Sequence, residues 1–102
     1  MRENKAEKKV PLIIGWERVT NKCAEFAEAR ILSTDDGFYV LKLDAKGIQQ
    51  GVYLFDQFGN LKASEAPQQV DLYNEMMACL TRRNPKDTGM VILRKGERVD
   101  VK

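Results

Sequence analysis

Apolar residues fall into short blocks separated by glycine-containing pairs, Asp36-Gly37, Gly59-Asn60 and Lys95-Gly96, and into one longer block with helical spacing. Short apolar blocks bounded by such pairs read as strands joined by tight turns, because glycine supplies the positive φ that a primed hairpin turn needs. Phe38 to Asp44 is the clearest of them, rich in aromatic and branched residues. Counting outward from Asp36-Gly37 pairs Thr34 with Tyr39, Leu32 with Leu41 and Arg30 with Leu43. A further strand runs from Val52 to Asp56, and Gly59-Asn60 turns it back so that Phe58 meets Leu61 and Asp56 meets Ala63. A slip of one residue there would exchange the buried and exposed faces. At the end of the chain, residues 90–102 read as a hairpin on Lys95-Gly96, with Ile92 facing Val99 and Met90 facing Val101.

Two other stretches are read differently. Val10 to Trp16 is a short apolar run with Pro11 near its start, which suits a strand beginning at an edge. Residues 17–33 fit two elements. Val19, Cys23, Phe26, Ala27 and Ile31 recur at helical spacing. The Asp36-Gly37 turn, however, requires a strand from at least Arg30 to Thr34. A strand reaching back to about Cys23 is the favoured reading, and a helix over residues 18–29 is the alternative.

The longer block begins at Ser64-Glu-Ala-Pro67, a capping serine with a proline in the first turn, and extends to about Arg83 before Asn84-Pro85 ends it. Val70, Tyr73, Met77 and Leu80 form one apolar line on this helix. Leu72, Met76 and Cys79 form a second beside it. The fold class is therefore α+β: a curved antiparallel sheet of five or six strands packed on one long helix, residues 66–83, with a closing hairpin. Residues 1–9 are charged throughout and read as a flexible tail, leaving residues 10–102 as a single domain. No internal repeat is evident. The second apolar line, with Trp16 and with Met90 set against Met76 and Met77, predicts an apolar interface of Leu72, Met76, Cys79 and Trp16, and hence a homodimer or a protein partner.

Composition narrows the chemistry. The 102 residues are 43% hydrophobic, enough for one modest core. Seventeen basic and fifteen acidic residues nearly balance, so no global field calls for nucleic acid or an anionic membrane. Two cysteines without paired spacing fit a reducing, cytoplasmic setting, and the one apolar run near the N-terminus is too short for a membrane span. There is no histidine, which removes the commonest general base and zinc ligand, and no phosphate-binding glycine loop occurs. No catalytic residue, metal or cofactor is expected. Asp35-Asp36 are explained as turn residues, while Asp44 and Asp56 offer acid–base chemistry only if their strands bring them together.

The remaining asymmetry is basic. Arg82, Arg83, Lys86, Arg94, Lys95 and Arg98 crowd the C-terminal part of the chain. Folded together, they would form a patch for phosphates or for an acidic partner. The sequence thus predicts a small non-enzymatic cytoplasmic interaction or regulatory protein acting through protein–protein contacts as a homodimer. The alternative is a nucleic-acid-binding module built on the basic patch. No small-molecule substrate or membrane partner is evident.

Overall fold

The computed structural model describes residues 14–82 and 90–95. Within them the order is α1 (14–22), β1 (Glu28–Thr34), β2 (Gly37–Leu43), β3 (Gln49–Asp56), β4 (Leu61–Glu65), α2 (Asp71–Thr81) and β5 (Met90–Arg94). The strands form one open antiparallel sheet in the order β4-β3-β2-β1-β5. The expected tail and residues 10–13 of the first expected strand lie outside the described residues.

Alternation along the strands divides the core in two. Ala29, Ile31, Phe38, Val40 and Phe55 face one way and are buried against Val19 and Cys23 at the end of α1. Leu32, Leu41, Leu43 and Val52 face the other way and are buried against Leu72 and Met76 of α2. The sheet is therefore covered on both faces by short helices of nine and eleven residues. Burial of each large side chain contributes roughly 1.5–3 kcal/mol. Ile31, Val40, Val52 and Met76 are fully enclosed, which places the centre of the fold on β1, β2 and β3.

The expected α+β class and antiparallel sheet are present, while the single long helix over residues 66–83 is not. Ser64 and Glu65 belong to β4, where they pair with Tyr53 and Val52. Residues 66–69 make a turn closed by the Gln69 N–H donating to the Ala66 carbonyl, so Pro67 shapes a turn instead of opening a helix. The closing hairpin is also revised. Met90–Arg94 pair with Leu32–Glu28 of β1, and the expected return strand lies outside the described residues. Finally, residues 14–22 are helical, with Cys23 N–H still donating to the Val19 carbonyl, which replaces both the expected strand at Trp16 and the favoured strand back to Cys23. β1 starts only at Glu28.

Two of the hairpins share one design that the sequence reading passed over. In Asp44-Ala-Lys-Gly-Ile48 and Asp56-Gln-Phe-Gly-Asn60, the aspartate Oδ1 accepts from the N–H groups two and four residues on, at 2.8–2.9 Å. Gly47 and Gly59 take positive φ, 86° and 84°. Both are three-residue hairpin loops whose third residue is a glycine in the left-handed region. Each aspartate replaces water as partner to otherwise orphaned backbone donors. Asp44 and Asp56 stand at opposite ends of the sheet, so they do not combine into an acid–base pair.

Candidate functional site

Two neighbouring regions at one end of the sheet bring exposed apolar and charged side chains together outside the core. The first is the corner where the start of α1 meets the β3–β4 turn. The approach there is close: a Cβ on Gly15 would collide with the Gln57 carbonyl oxygen, and one on Gly59 would stand 2.7 Å from Cβ of Arg18. The proximity lets two cations of α1 hold the turn. Arg18 Nη1 donates to the Phe58 carbonyl at 3.1 Å, and Lys22 Nζ donates to the Gly59 carbonyl at 2.8 Å. With its backbone fixed, the turn presents Phe58 outward at 42% exposure, beside Leu61 at 54% and Ile14 at 37%. Leu61 opens β4, an edge strand whose outer side meets no other strand among the described residues.

The Asp56 carboxyl lies below the ordinary carboxylate range, because backbone donors of Asn60 and then Phe58 stabilise its charged form, assisted by the nearby Lys62 cation.

The second region is a cleft between the end of α2 and the β1–β2 turn. Thr34 builds that turn. Its Oγ1 accepts from the N–H groups of Asp36 and Gly37 and donates to the Gly37 carbonyl, which leaves Asp35 and Asp36 as a two-residue loop at the surface. Opposite it, one helical turn brings Cys79 and Arg82 together, with Arg82 Nη2 donating to Cys79 Sγ at 3.6 Å. Two cavities, of about 410 and 200 Å³, share Thr34, Asp36 and Cys79 as walls. Arg82 and Asp35 complete the larger, while Lys62, Tyr39 and Leu54 contribute to the smaller. The Tyr39 hydroxyl donates to Glu75 Oε1 at 3.2 Å. Partial burial, with neighbouring Cys79 and Glu75, pushes this hydroxyl up to about 12.

The residues singled out from sequence are distributed more widely than expected. Arg82 borders the cleft near Thr34, whereas Arg94 pairs with Glu28 at 3.6 Å and the Lys95 N–H donates to Ala27. Glu28 and Thr34 are the two ends of β1. That separation is about 20 Å at ~3.3 Å per residue, so Arg82 does not join Arg94 and Lys95 in one patch. Arg83, Lys86 and Arg98 lie outside the described residues. Of the expected apolar interface, Leu72 and Met76 are buried on the sheet, because the side of α2 that they share is the one facing β3 and β4. Cys79 is half-buried in the cleft, and Trp16 packs on Phe38 on the opposite face, with ring centroids 6.2 Å apart. These four residues therefore do not form one surface.

Tyr53 and Phe55 serve the core beneath α1, with Tyr53 stacked on Phe26 at 5.9 Å. Cys23 is buried there too, and burial pushes its thiol up to about 12 despite the adjacent Lys22. No helix among the described residues is long and apolar enough to cross a membrane. No group of three or more potential metal ligands occurs among them. The sequence reading missed Lys62 and the α1 cations. The Lys62 signal was legible only as a cation in a short edge strand, a common device for blunting such edges. Comparison with known protein families, curated proteins and solved structures finds no match for this chain.

Proposed function

We propose that this chain is a small non-enzymatic interaction or regulatory protein of the cytoplasm that acts through protein–protein contacts and self-associates as a homodimer. The observation that carries this reading is the open edge of β4 with Ile14, Phe58 and Leu61 exposed round its first residues. An unpaired edge offers backbone donors and acceptors to an added strand, and exposed apolar side chains beside it supply burial on association. A second copy meets that edge antiparallel about a twofold axis, so the same five residues of β4 serve both sides. The tethering of the β3–β4 turn by Arg18 and Lys22 favours binding, because a preordered surface loses less entropy on association.

Sedimentation equilibrium of the full chain over a range of concentrations tests this reading. A reversible dimer that dissociates in the Phe58→Ser/Leu61→Lys double variant supports it. A monomer at every concentration, with the same hydrogen exchange in β4 for wild type and variant, overturns self-association. Nucleic-acid binding draws less support, since Arg82 stands at the far end of β1 from Arg94 and Lys95. Its arm of the test is salt-dependent retention of oligonucleotides that falls in an Arg94→Glu/Lys95→Glu variant.

A further inference from the structure

The cleft at the end of α2 combines charges of both signs in an unusual state of pairing. Lys62 and Asp36 line the smaller cavity, and Arg82, Asp35 and Asp36 line the larger. Opposite charges this near each other commonly close into ion pairs. Yet the ion pairs among the described residues are those of Glu28 with Arg30 and Arg94, on another part of the sheet. Lys62 and Asp36, which line the same cavity, form no ion pair, and neither do Arg82 and the aspartates of the larger one. The backbone explains why. Thr34 holds the Asp35-Asp36 loop through three hydrogen bonds, β3 pairing fixes the strand that carries Lys62, and the last turn of α2 sets Arg82. Three elements thus place Lys62 on one, and Arg82 and Asp35 on the other, of two adjoining cavities that share Thr34, Asp36 and Cys79.

From this arrangement we infer that the cleft binds a small zwitterion of the amino-acid or short-peptide class. The ligand's carboxylate faces Lys62 and Arg82, and its ammonium faces Asp35 and Asp36. A ligand carrying both charges satisfies both sets of protein groups, whereas a simple anion or cation leaves one set facing its own sign. Thr34 Oγ1 already has its partners within the turn, so recognition falls to the four charges. Cys79 forms the shared wall, where a bound ligand covers its thiol. The cavities are lined on the α2 side of the sheet, while Lys62 also belongs to the β4 edge proposed for self-association, so dimerisation by sedimentation and binding by titration are read separately.

The test is a two-dimensional amide NMR titration of the full chain with glycylglycine, alongside its N-acetylated, C-amidated form. Saturable shifts at residues 34–37, 62 and 79–82 with the zwitterion, and affinity about tenfold lower or worse for the blocked form, are the expected result. Lys62→Met and Asp36→Asn, which preserve side-chain size, are each expected to weaken binding by about tenfold. Iodoacetamide alkylation of Cys79 is expected to slow in the presence of glycylglycine, with buried Cys23 as the internal control. Equal response to the blocked dipeptide, shifts that do not saturate, or unchanged affinity in both variants whose amide spectra match wild type would overturn the inference.

Discussion

Glu65 and Leu72 are joined across the loop between β4 and α2: Glu65 Oε1 accepts the Leu72 N–H at 2.8 Å, while its Oε2 accepts from Tyr73 at 2.9 Å. Val70, at the position where a capping side chain normally stands, makes no such bond. The last residue of an edge strand therefore caps the helix that covers the sheet. It satisfies two of the four donors that a helix start leaves open, and it places negative charge where the helix dipole favours it.

That link has a measurable cost when broken. Glu65→Ala is expected to destabilise the fold by about 1–2 kcal/mol, the range seen for lost helix caps. Glu65→Gln keeps one acceptor and is expected to lose less. Chemical denaturation gives the size of the effect, and amide exchange should accelerate first in α2. Unchanged protection of Leu72 and Tyr73 in the alanine variant would refute this role for Glu65.

The same link explains why the start of α2 was misplaced from sequence. Ser64 and Pro67 have the chemistry of a helix start, but Ser64 is held in the ladder opposite Tyr53, and the cap comes from a side chain seven residues before Leu72. Local pattern rules do not register a cap supplied by a strand. The β1–β2 hairpin was more legible. Its true pairs, Thr34 with Gly37 and Leu32 with Tyr39, are shifted by two residues from those expected. A shift of two returns every side chain to its original face, so both registers put the same residues of β1 and β2 on the same side of the sheet. Gly37 closes the turn as the partner of Thr34, and it also stands where a Cβ would collide with the Phe55 carbonyl on β3, so the glycine serves both the turn and the strand contact. The cleft was least legible, because Lys62, Asp36 and Cys79 meet only through the packing of three elements distant in sequence.

The paired aspartate turns separate backbone strain from packing. Gly47 and Gly59 have nearly the same positive φ, but a Cβ at Gly47 meets nothing within 4 Å, whereas at Gly59 it meets Arg18. Gly47→Ala is expected to cost about 1–2 kcal/mol from the left-handed conformation alone. Gly59→Ala is expected to cost measurably more and to loosen α1, visible as faster amide exchange at residues 17–22. Equal losses in the two variants would show that α1 does not depend on this close contact.

Asp56 makes the fold sensitive to acid. Its folded-state pKa lies below the ordinary value, so the charged form is favoured in the folded chain, and that stabilisation is present above the unfolded carboxylate pKa. It is lost as pH falls from the ordinary carboxylate value through the lowered one. Asp56→Asn retains an acceptor without the charge and is expected to flatten the acid limb of stability against pH. A thermal-denaturation series from neutral to acidic pH on both proteins measures the difference. Identical acid limbs would remove Asp56 from the account.

At the alkaline end Cys23 contributes from a lower starting value than Tyr39, whose hydroxyl is raised as well. Burial raises its thiol from the ordinary value of 9.0 to about 12, so the unfolded chain ionises first as pH rises. The stabilisation is complete below 9.0 and diminishes as pH increases from there toward about 12. Cys23→Ala removes the thiol's share of that dependence, leaving that of Tyr39, at the cost of a small cavity beside Val19 and Phe38. The same burial sets labelling kinetics. At neutral pH a thiol reagent should modify half-buried Cys79 first, and Cys23 only at the rate at which α1 opens from the sheet. Mild denaturant should therefore accelerate Cys23 modification steeply and that of Cys79 little; comparable acceleration at both thiols would mean that the two cysteines are exposed by one common opening.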